Sequence, residues 1–587
     1  MPNYVSELLL KPSNTVVKIK DESAQNSITN LNANLQSEID NRTNADSQLQ
    51  GNIDNEKQAR ENADSLLQQN IDNLEDVVNN LDINHVYNQS TPSSGLTTNI
   101  GLKEGTYDIT ANTTINAQLV VPKGAIINIA NGVTLTINGQ ILAGAYQIFS
   151  GNGTVVINNM SEIYPEWWGA KNDDTTDSTV AFTKAIASIS KGTIVLQPCK
   201  LNIYTELPPT NCYVVNSTLV LNKNYVSFKG SRSGIKTTSN LLFEIKGSTD
   251  NGALNFVQGH YFDGIIFYYN GTPSGTGYNK KIAIKNHGSI RNVIKNCEFY
   301  NFMTAYYSDT IVANFFMNNI VHVPNVVYAT GIYLNDNIIN SAVYPNASQH
   351  VQNCTFLIGD NAVGITAIGD VLSDLYVKDC EFGGGYHAIS MQIGDGSTST
   401  KTSYNIHICD NICDNIANTC FDIQFGETYN SALNIIGNWI AHRDGNGITL
   451  QKVKNANISD NIINGTLGST ANGIALVYCE NIIVKGNNIQ YCPVAIDSAY
   501  LSLGIITDNI LVFPNMSGHN AYTVAVRIPS SSGGINISNN SVRVESGATL
   551  TNCFIVQSAG NVINYNLTNP SIPDSIITGN IVNGTSI

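Results

Sequence analysis

The chain has 587 residues, a formal net charge of −15 and only 13% charged residues. That length exceeds one ordinary core, so several domains or one long solenoid are expected. The acidic balance argues against nucleic acid as a partner, and no apolar run of about 18 residues supports membrane insertion.

The N-terminus, MPNYVSELLLKPSN, has neither a basic n-region nor a long apolar h-region, so no export leader is expected. The 11 cysteines read as small buried hydrophobes with free thiols, which suits folding in a reducing cytosol. Residues 1–25 carry VSELLL and VVKIK, phrases too short to fold alone, and read as a segment attaching to a larger assembly. Residues 26–83 are polar and almost free of Gly and Pro, and Arg42–Asn55 recurs as Arg60–Asn73. The offset of 18 residues is five turns of an α-helix. Its apolar seam (Leu35, Ile39, Leu49, Ile53, Leu67, Ile71, Leu74) is too thin to bury itself. Partner copies are therefore required, and a three-stranded coiled coil is expected, with a lone helical linker as the alternative.

Residues 84–162 read as a β-rich connector, with early strands in Thr134–Gly144 and Gly153–Asn159. Next comes YPEWWGAKNDDTTDSTVAFTKAIASISKG, Tyr164–Gly192. Phe182, Ala185, Ile186 and Ile189 fall at helical spacing, with Asp177 as expected N-cap and Gly192 at C′. A cap helix over about 178–190, covering an open coil end, followed by a strand at Thr193–Gln197, is the expectation.

From Arg291 onward one phrase returns eleven times: alternating apolar residues around an Asn or Cys, as in IKNCEF, VKDCEF and ISDNII. The expected column is Cys297, Asn319, Asn337, Cys354, Cys380, Asn411, Asn438, Asn461, Asn488, Asn509 and Asn540, echoed at Asn580. A short strand recurring about every 26 residues, with no helix between, marks a solenoid whose stacked Asn side chains form a ladder.

Pro165, Glu166, Trp167, Gly169, Ala170, Asp173, Thr175, Asp177 and Ala181 resemble the pattern opening the pectate-lyase-like β-helix of bacteriophage tailspikes. The likeness covers roughly Ile163–Ile587, and the N-terminal repeat is similar to the trimerising shafts of phage fibres. The resemblance implies an all-β, single-stranded right-handed parallel β-helix over 163–587, preceded by a coiled coil, in a homotrimer. It further implies a virion protein, held to other virion proteins through residues 1–25, that recognises host surface polysaccharide. The motif does not specify a reaction, since this scaffold carries lyases, hydrolases and esterases alike.

Carboxylates on neighbouring rungs are the candidates for chemistry. Aligned repeats place Ile389, Met391 and Ile393 inward, as are Phe421, Ile423 and Phe425. Ser390 and Gln392, Asp422 and Gln424, and Thr449 and Gln451 then face out, with Asp370, Asp395 and Glu427 at the edge of this strip. Asp395 and Glu427 are the nominated acid/base pair, with Asp422 as alternative partner, because glycoside hydrolysis needs two carboxyls within about 5–9.5 Å. Gln392, Gln424, His442, Arg443 and Asp444 are nominated to orient substrate, and Tyr386 and Trp439 to stack on sugars. The plainer reading is that corner acids face water or cap turns, that Arg443 and Asp444 pair within a turn, and that His387 and His407 are surface residues. No cofactor or metal site is expected, and hydrolysis is favoured over elimination. The expected function is a receptor-binding depolymerase, the alternative a non-catalytic adhesin or structural fibre.

Overall fold

A computed structural model of the chain describes residues 7–10, 15–18, 22–80, 92, 95, 99–200, 208–250, 253–335, 337–339, 342–344, 346–369, 372–394, 405–426, 432–466, 471–515, 521–546, 548–558, 561–565, 575–578, 581–582 and 585–586. Two compact units divide the chain, residues 1–86 and 87–587.

In the first unit Glu7–Leu10 pairs antiparallel with Thr15–Lys18, and the helix α1 runs over Glu22–Asn80. Its sequence repeat recurs as a repeat of surface contacts. Gln50 Nε2 donates to Asp54 Oδ1 at 2.9 Å, and Gln68 to Asp72 at 2.7 Å. Arg42 pairs with Glu38, and Arg60 with Glu56, again one repeat on. Such i,i+4 pairs hold a polar helix but bury nothing. The seam residues Leu35, Ile39, Leu49, Ile53, Leu67, Ile71 and Leu74 are all exposed.

The second unit is a parallel β-helix in which three short strands make one coil, each bonded to its counterpart a coil later. Coiling begins at Ile100. The strands Ile100–Gly101, Gly105–Ile109 and Thr113–Ile115 pair in parallel with Leu119–Val120, Ala125–Ile129 and Thr134–Ile137. These pair in turn with Ile141–Leu142, Phe149–Gly151 and Thr154–Ile157. The β-rich segment expected as a connector up to residue 162 is thus itself coiled, where the sequence placed the β-helix from residue 163. Its alternation is that of half-buried strands, but its amide ladder (Asn116, Asn138, Asn158) lies on the outside, apart from the later phrase.

Helix α2 spans Thr179–Ser188 with Ser178 as its cap residue. Asp177 sits one position earlier than expected, although its Oδ1 accepts the Thr179 N–H at 2.9 Å. The helix ends at an extended Ile189, and Gly192, at φ +137°, opens the strand Gly192–Val195 instead of capping. Nor does α2 close an open end. Three coils precede it, and it packs against Thr154–Ile157 and Leu219–Leu221 as a piece of side wall. Ala181, Phe182, Ala185 and Ile186 enter the core, and Lys223 Nζ donates to the carbonyls of Ile186, Ala187 and Ile189 at the helix C-terminus. The opening motif is structural throughout. Buried Trp167 donates Nε1–H to Gly144 O at 3.0 Å, buried Glu166 meets the Tyr213 hydroxyl, and Asp174 takes two backbone N–H groups and Lys236 Nζ.

Further along, one coil reads Leu372–Lys378, Glu381–Gly384 and His387–Ile393, which belong to sheets 1, 2 and 3 respectively. The next reads Ile406–Cys409, Ile412–Ile416 and Phe421–Phe425, in parallel register with the first. Alternation works as expected: Ile389, Met391, Ile393, Phe421, Ile423 and Phe425 all lie in the core.

At the corner between sheets 1 and 2 runs the ladder. The Oδ1 of Asn438, Asn461, Asn487, Asn509 and Asn540 each accepts both the backbone N–H and the Nδ2–H of the ladder residue one coil before, at 2.8–3.1 Å. Each Nδ2 also donates to a backbone carbonyl of the preceding coil, as Asn461 does to Ile435 O at 2.9 Å. The residue before each rung is Asn, Asp or Gly at positive φ, from Asn353 at 52° to Gly437 at 70°, the left-handed region these residues tolerate best. Asn487, which follows Gly486 at φ 69°, therefore takes the rung expected for its neighbour Asn488. Asn337 also departs from expectation: it lies in an antiparallel hairpin, Asn337–Ile339 with Ala342–Tyr344. Thr355 N–H bonds Asn319 O across the coil, so Cys354 follows Asn319 directly. Asn580 lies outside the described residues.

Asn461→Ala removes one buried amide and leaves the Asn438 N–H, the Asn438 Nδ2–H and the Ile435 carbonyl short of a partner. A loss of about 3 kcal/mol in denaturant unfolding is expected. The control Asn361→Ala, which removes an exposed amide contact to Asn325 at a residue without positive φ, should stay within about 0.5 kcal/mol.

Candidate functional site

Outward side chains of sheet 3 form rows fixed by register. One row runs Thr366, Ser390, Asp422, Thr449, Ala475, Asp497, Arg527, and a second runs Gln392, Gln424, Gln451. Gln392 is exposed, and Ser390, Asp422, Gln424, Thr449 and Gln451 are half-buried, the polar outer strip expected from alternation.

Asp422 is the second residue of its strand, close to the corner that leads in from sheet 2. His387, the first residue of the strand one coil earlier, brings Nε2 to 4.0 Å from Asp422 Oδ2. The His387 Nδ1–H donates to the Thr419 carbonyl at 2.5 Å, which fixes the tautomer and aims the Nε2 lone pair at the carboxyl. Burial drives the two groups in opposite senses: it pushes the Asp422 carboxyl above its usual range, partly offset by attraction to His387. It pushes the His387 imidazole below its own range. Both changes favour a protonated carboxyl beside a neutral imidazole, an arrangement suited to proton donation. Tyr386, exposed at the corner, sets its ring edge-on to His387 with centroids 4.6 Å apart.

The network continues along the row. Asn446 donates Nδ2–H to Thr449 Oγ1 at 2.9 Å, and its own N–H goes to Thr419 Oγ1 at 3.2 Å. Asn472 reaches Asp497 Oδ2 at 3.2 Å, and Arg527 grips Asp497 with two bonds of 2.8 and 2.6 Å. Asp497 lies three rungs from Asp422, about 14 Å at 4.8 Å per rung, beyond the separations glycoside hydrolysis uses. Among the described residues it is the next carboxylate on that row.

The other nominated residues divide. Asp395 and Glu427, the nominated pair, and Asp370 beside them lie outside the described residues. Arg443 and Asp444 occupy the corner that carries Tyr386 two coils earlier, but they do not pair with each other. Arg443 Nη2 reaches Asp360 Oδ1 at 2.5 Å, across 83 residues of sequence. Asp444 is exposed and holds its turn by donating N–H to Ala417 O. His442 cannot orient a substrate on the outer face, because it ends the strand Trp439–His442 pointing inward, 1% exposed, against Cys492 Sγ at 3.6 Å. Burial lowers its pKa to about 4. Trp439 lies on sheet 2, between Ile412 and Ile462, so it flanks a different outer face from Asp422. His387, read as a surface residue, is the partner that sequence reasoning missed. An alternation count started from Ile389 would have placed it at the buried head of the strand. His407 is half-buried on sheet 1, stacked on Tyr376 with centroids 5.0 Å apart.

No protein-family model matches the chain, and no curated protein does. Solved structures similar to it include tailspike protein 3 of bacteriophage CBA120, at 15% identity and a TM-score of 0.39, covering 70% of this chain and 64% of that one. The chain thus spans less than two thirds of that tailspike. The surface adhesin PfbA of Streptococcus pneumoniae is similar at 14% identity over 69% of this chain and 94% of that one, TM-score 0.39. An exopolygalacturonase of Thermotoga maritima is similar at 10% identity over 73% and 92%, TM-score 0.32. At these scores they say nothing of activity, and the coiled fold rests on the chain's own strand pairing.

The raised Asp422 pKa has a signed consequence. A carboxyl whose pKa is higher folded than unfolded costs stability once it ionises, so its penalty appears as pH rises through the folded pKa. Asp422→Asn should therefore raise the thermal midpoint at pH 7, with the gain vanishing in scans below the usual Asp range near about 3.9.

Proposed function

We propose that the chain is a fibre protein of a phage virion that binds and cuts host surface polysaccharide on the outer face of sheet 3. The observation that supports catalysis is Asp422, a half-buried outward carboxyl raised by burial and faced by His387. In this reading Asp422 gives its proton to the leaving glycosidic oxygen, which departs as an alcohol, and the Asp422 carboxylate regains a proton from water, with the neutral His387 imidazole beside it. Asp395 or Glu427 supplies the second carboxylate, as base or nucleophile. Gln392 and Gln424, outward on the adjacent row, hydrogen-bond sugar hydroxyls, and exposed Tyr386 stacks on a ring. Arg443 and Asp444 border the same corner.

The exposed apolar seam of α1 favours assembly through partner copies, and three chains fit the shaft-like repeat. Sheet 2 adds a second apolar row, exposed Ile412 and Ile462 with half-buried Trp439 between them, suited to lateral contact between coils of sister chains. Residues 1–25 would then join the trimer to other virion proteins.

One observation favours the non-catalytic adhesin instead. The described part of the Asp422 row offers no second carboxylate at a working distance, and Asp497 is already held by Arg527.

Incubating purified protein with host capsule or lipopolysaccharide should release new reducing ends without unsaturated uronates. Asp422→Asn should lower the rate about 10²- to 10⁴-fold while binding is kept. Asp395→Ala and Glu427→Ala separate the roles: loss in one alone names the partner, and full activity in both removes the pair. Wild-type binding without cleavage would establish the adhesin reading. For assembly, light scattering should give a three-chain mass, shifting toward one chain in the double variant Leu49→Asp, Ile53→Asp.

A further inference from the structure

Sheet 2 carries a feature that the reading above leaves unused. Its outward register places Tyr268, Tyr300, His322, Leu357 and Gly383 on successive coils. Beside this column lies a cleft of about 320 Å³, lined by Tyr268, Tyr300, Asn301, His322, Pro324 and Leu357. Tyr300 and His322 stack on each other with centroids 4.3 Å apart and planes at 22°, which makes a rigid wall. Below Leu357 the column is vacated by Gly383, and exposed Asp414 stands one coil further on. Leu357 itself stands 42% exposed, an apolar surface without cover.

Polar groups at the cleft are oriented and neutral. Asn301 Nδ2 is committed to the carbonyls of Tyr269 and Gly271, at 2.9 and 2.8 Å, which holds its Oδ1 in place as an acceptor. The Tyr300 hydroxyl donates to Glu298 Oε2 at 2.7 Å, leaving the phenol oxygen as an acceptor. Glu298, the nearest charge on the column's strand, is also balanced by Arg232 Nη2 at 3.0 Å. Among the described residues no Lys, Arg, Asp or Glu lines the cleft, and burial pushes His322 below its ordinary range against the pull of Glu298, a shift that favours the neutral imidazole.

We propose that this cleft is a binding subsite for one or two neutral pyranose rings, on a different outer face from Asp422. Apolar and aromatic walls suit the C–H faces of a sugar, and fixed acceptors suit its hydroxyls. The volume lies at the small end of ligand pockets, which sets the size of the occupant. An acidic sugar is disfavoured, because its carboxylate would lose water without meeting a counter-charge. The subsite takes its place on a longer chain from the glycan reading above, but its own chemistry requires no cleavage.

Saturation-transfer NMR with free D-glucose, D-galactose, L-rhamnose, N-acetyl-D-glucosamine and D-glucuronate tests this on the full chain. At least one neutral sugar should take up saturation, while glucuronate takes none. Affinity should fall roughly tenfold in Tyr268→Ala and in Leu357→Asp, the loss expected of a main contact at a small site. The exposed position of Leu357 makes that variant safe for folding, which an unchanged thermal midpoint verifies. Failure here and failure of the cleavage reading are separable, because this proposal is read in the loss of saturation transfer on Tyr268→Ala and Leu357→Asp, and cleavage in the release of reducing ends. Equal binding in wild type and both variants, a preference for glucuronate, or no transfer to any neutral sugar would overturn the proposal.

Discussion

Everything on the surface of the coil is placed by one constraint, the register between successive coils, and the buried amide ladder is what fixes it. Each ladder amide answers two donors of the coil before it and one carbonyl further back. A slip of one residue would strand all of these in the core, where an unmet polar group costs about 1–3 kcal/mol. Apolar packing alone cannot provide this discrimination, because a core of Ile, Val and Phe accepts many offsets almost equally well. The ladder changes an elongated hydrophobic tube into a scaffold with fixed coordinates.

That rigidity explains how chemistry can be assembled from residues far apart in sequence. His387 and Asp422 meet because their strands are neighbours in sheet 3, and the Thr419 carbonyl that selects the imidazole tautomer comes from the corner just before Asp422. Arg443 reaches Asp360 across intervening coils for the same reason. The side chains share no local motif, and they need none. A site on such a fold is a set of rows, and substitution at one row position changes the surface without disturbing the core behind it.

The parts of this arrangement that could be read in the sequence were those written locally. Alternation at Ile389–Ile393 and Phe421–Phe425 is a two-residue pattern, so the inward and outward sets were legible. So was the recurrence of an apolar phrase around Asn or Cys. The errors arose where a local pattern had two solutions. Asn487 and Asn488 both satisfy the phrase, and only the need for Gly486 at positive φ decides between them. Asn337 satisfies it within a hairpin that leaves the coil, which no short window detects. The first coils, from Ile100, were missed as coils because their ladder faces water and the buried-amide phrase is absent. His442 was legible and misjudged: two residues on from inward Ile440, it had to point into the core.

The two outer faces differ in what their candidate sites present: the sheet 2 cleft is lined by uncharged groups, the Asp422 row by ionisable ones. Sheet 3 carries ionisable groups in its row, Asp422 with His387 and Asp497 with Arg527, and burial has shifted Asp422 toward its protonated form. Around its cleft sheet 2 presents aromatic and aliphatic side chains, with Glu298 paired to Arg232 and hydrogen-bonded by Tyr300, while its exposed carboxylates Glu381 and Asp414 stand further along the coil. A long polymer can lie on both, because a coil is only a few nanometres around and each row runs parallel to the axis. Binding energy gathered at the cleft would then hold the polymer while the Asp422 row acts, and uniform holding of this kind does not by itself raise a chemical rate. Damage to the sheet 2 cleft would consequently appear in substrate affinity and leave the chemical step intact, whereas loss of Asp422 would do the reverse. If the two proposed sites act so, their separation onto different sheets would let each vary without cost to the other, since the register behind them stays the same.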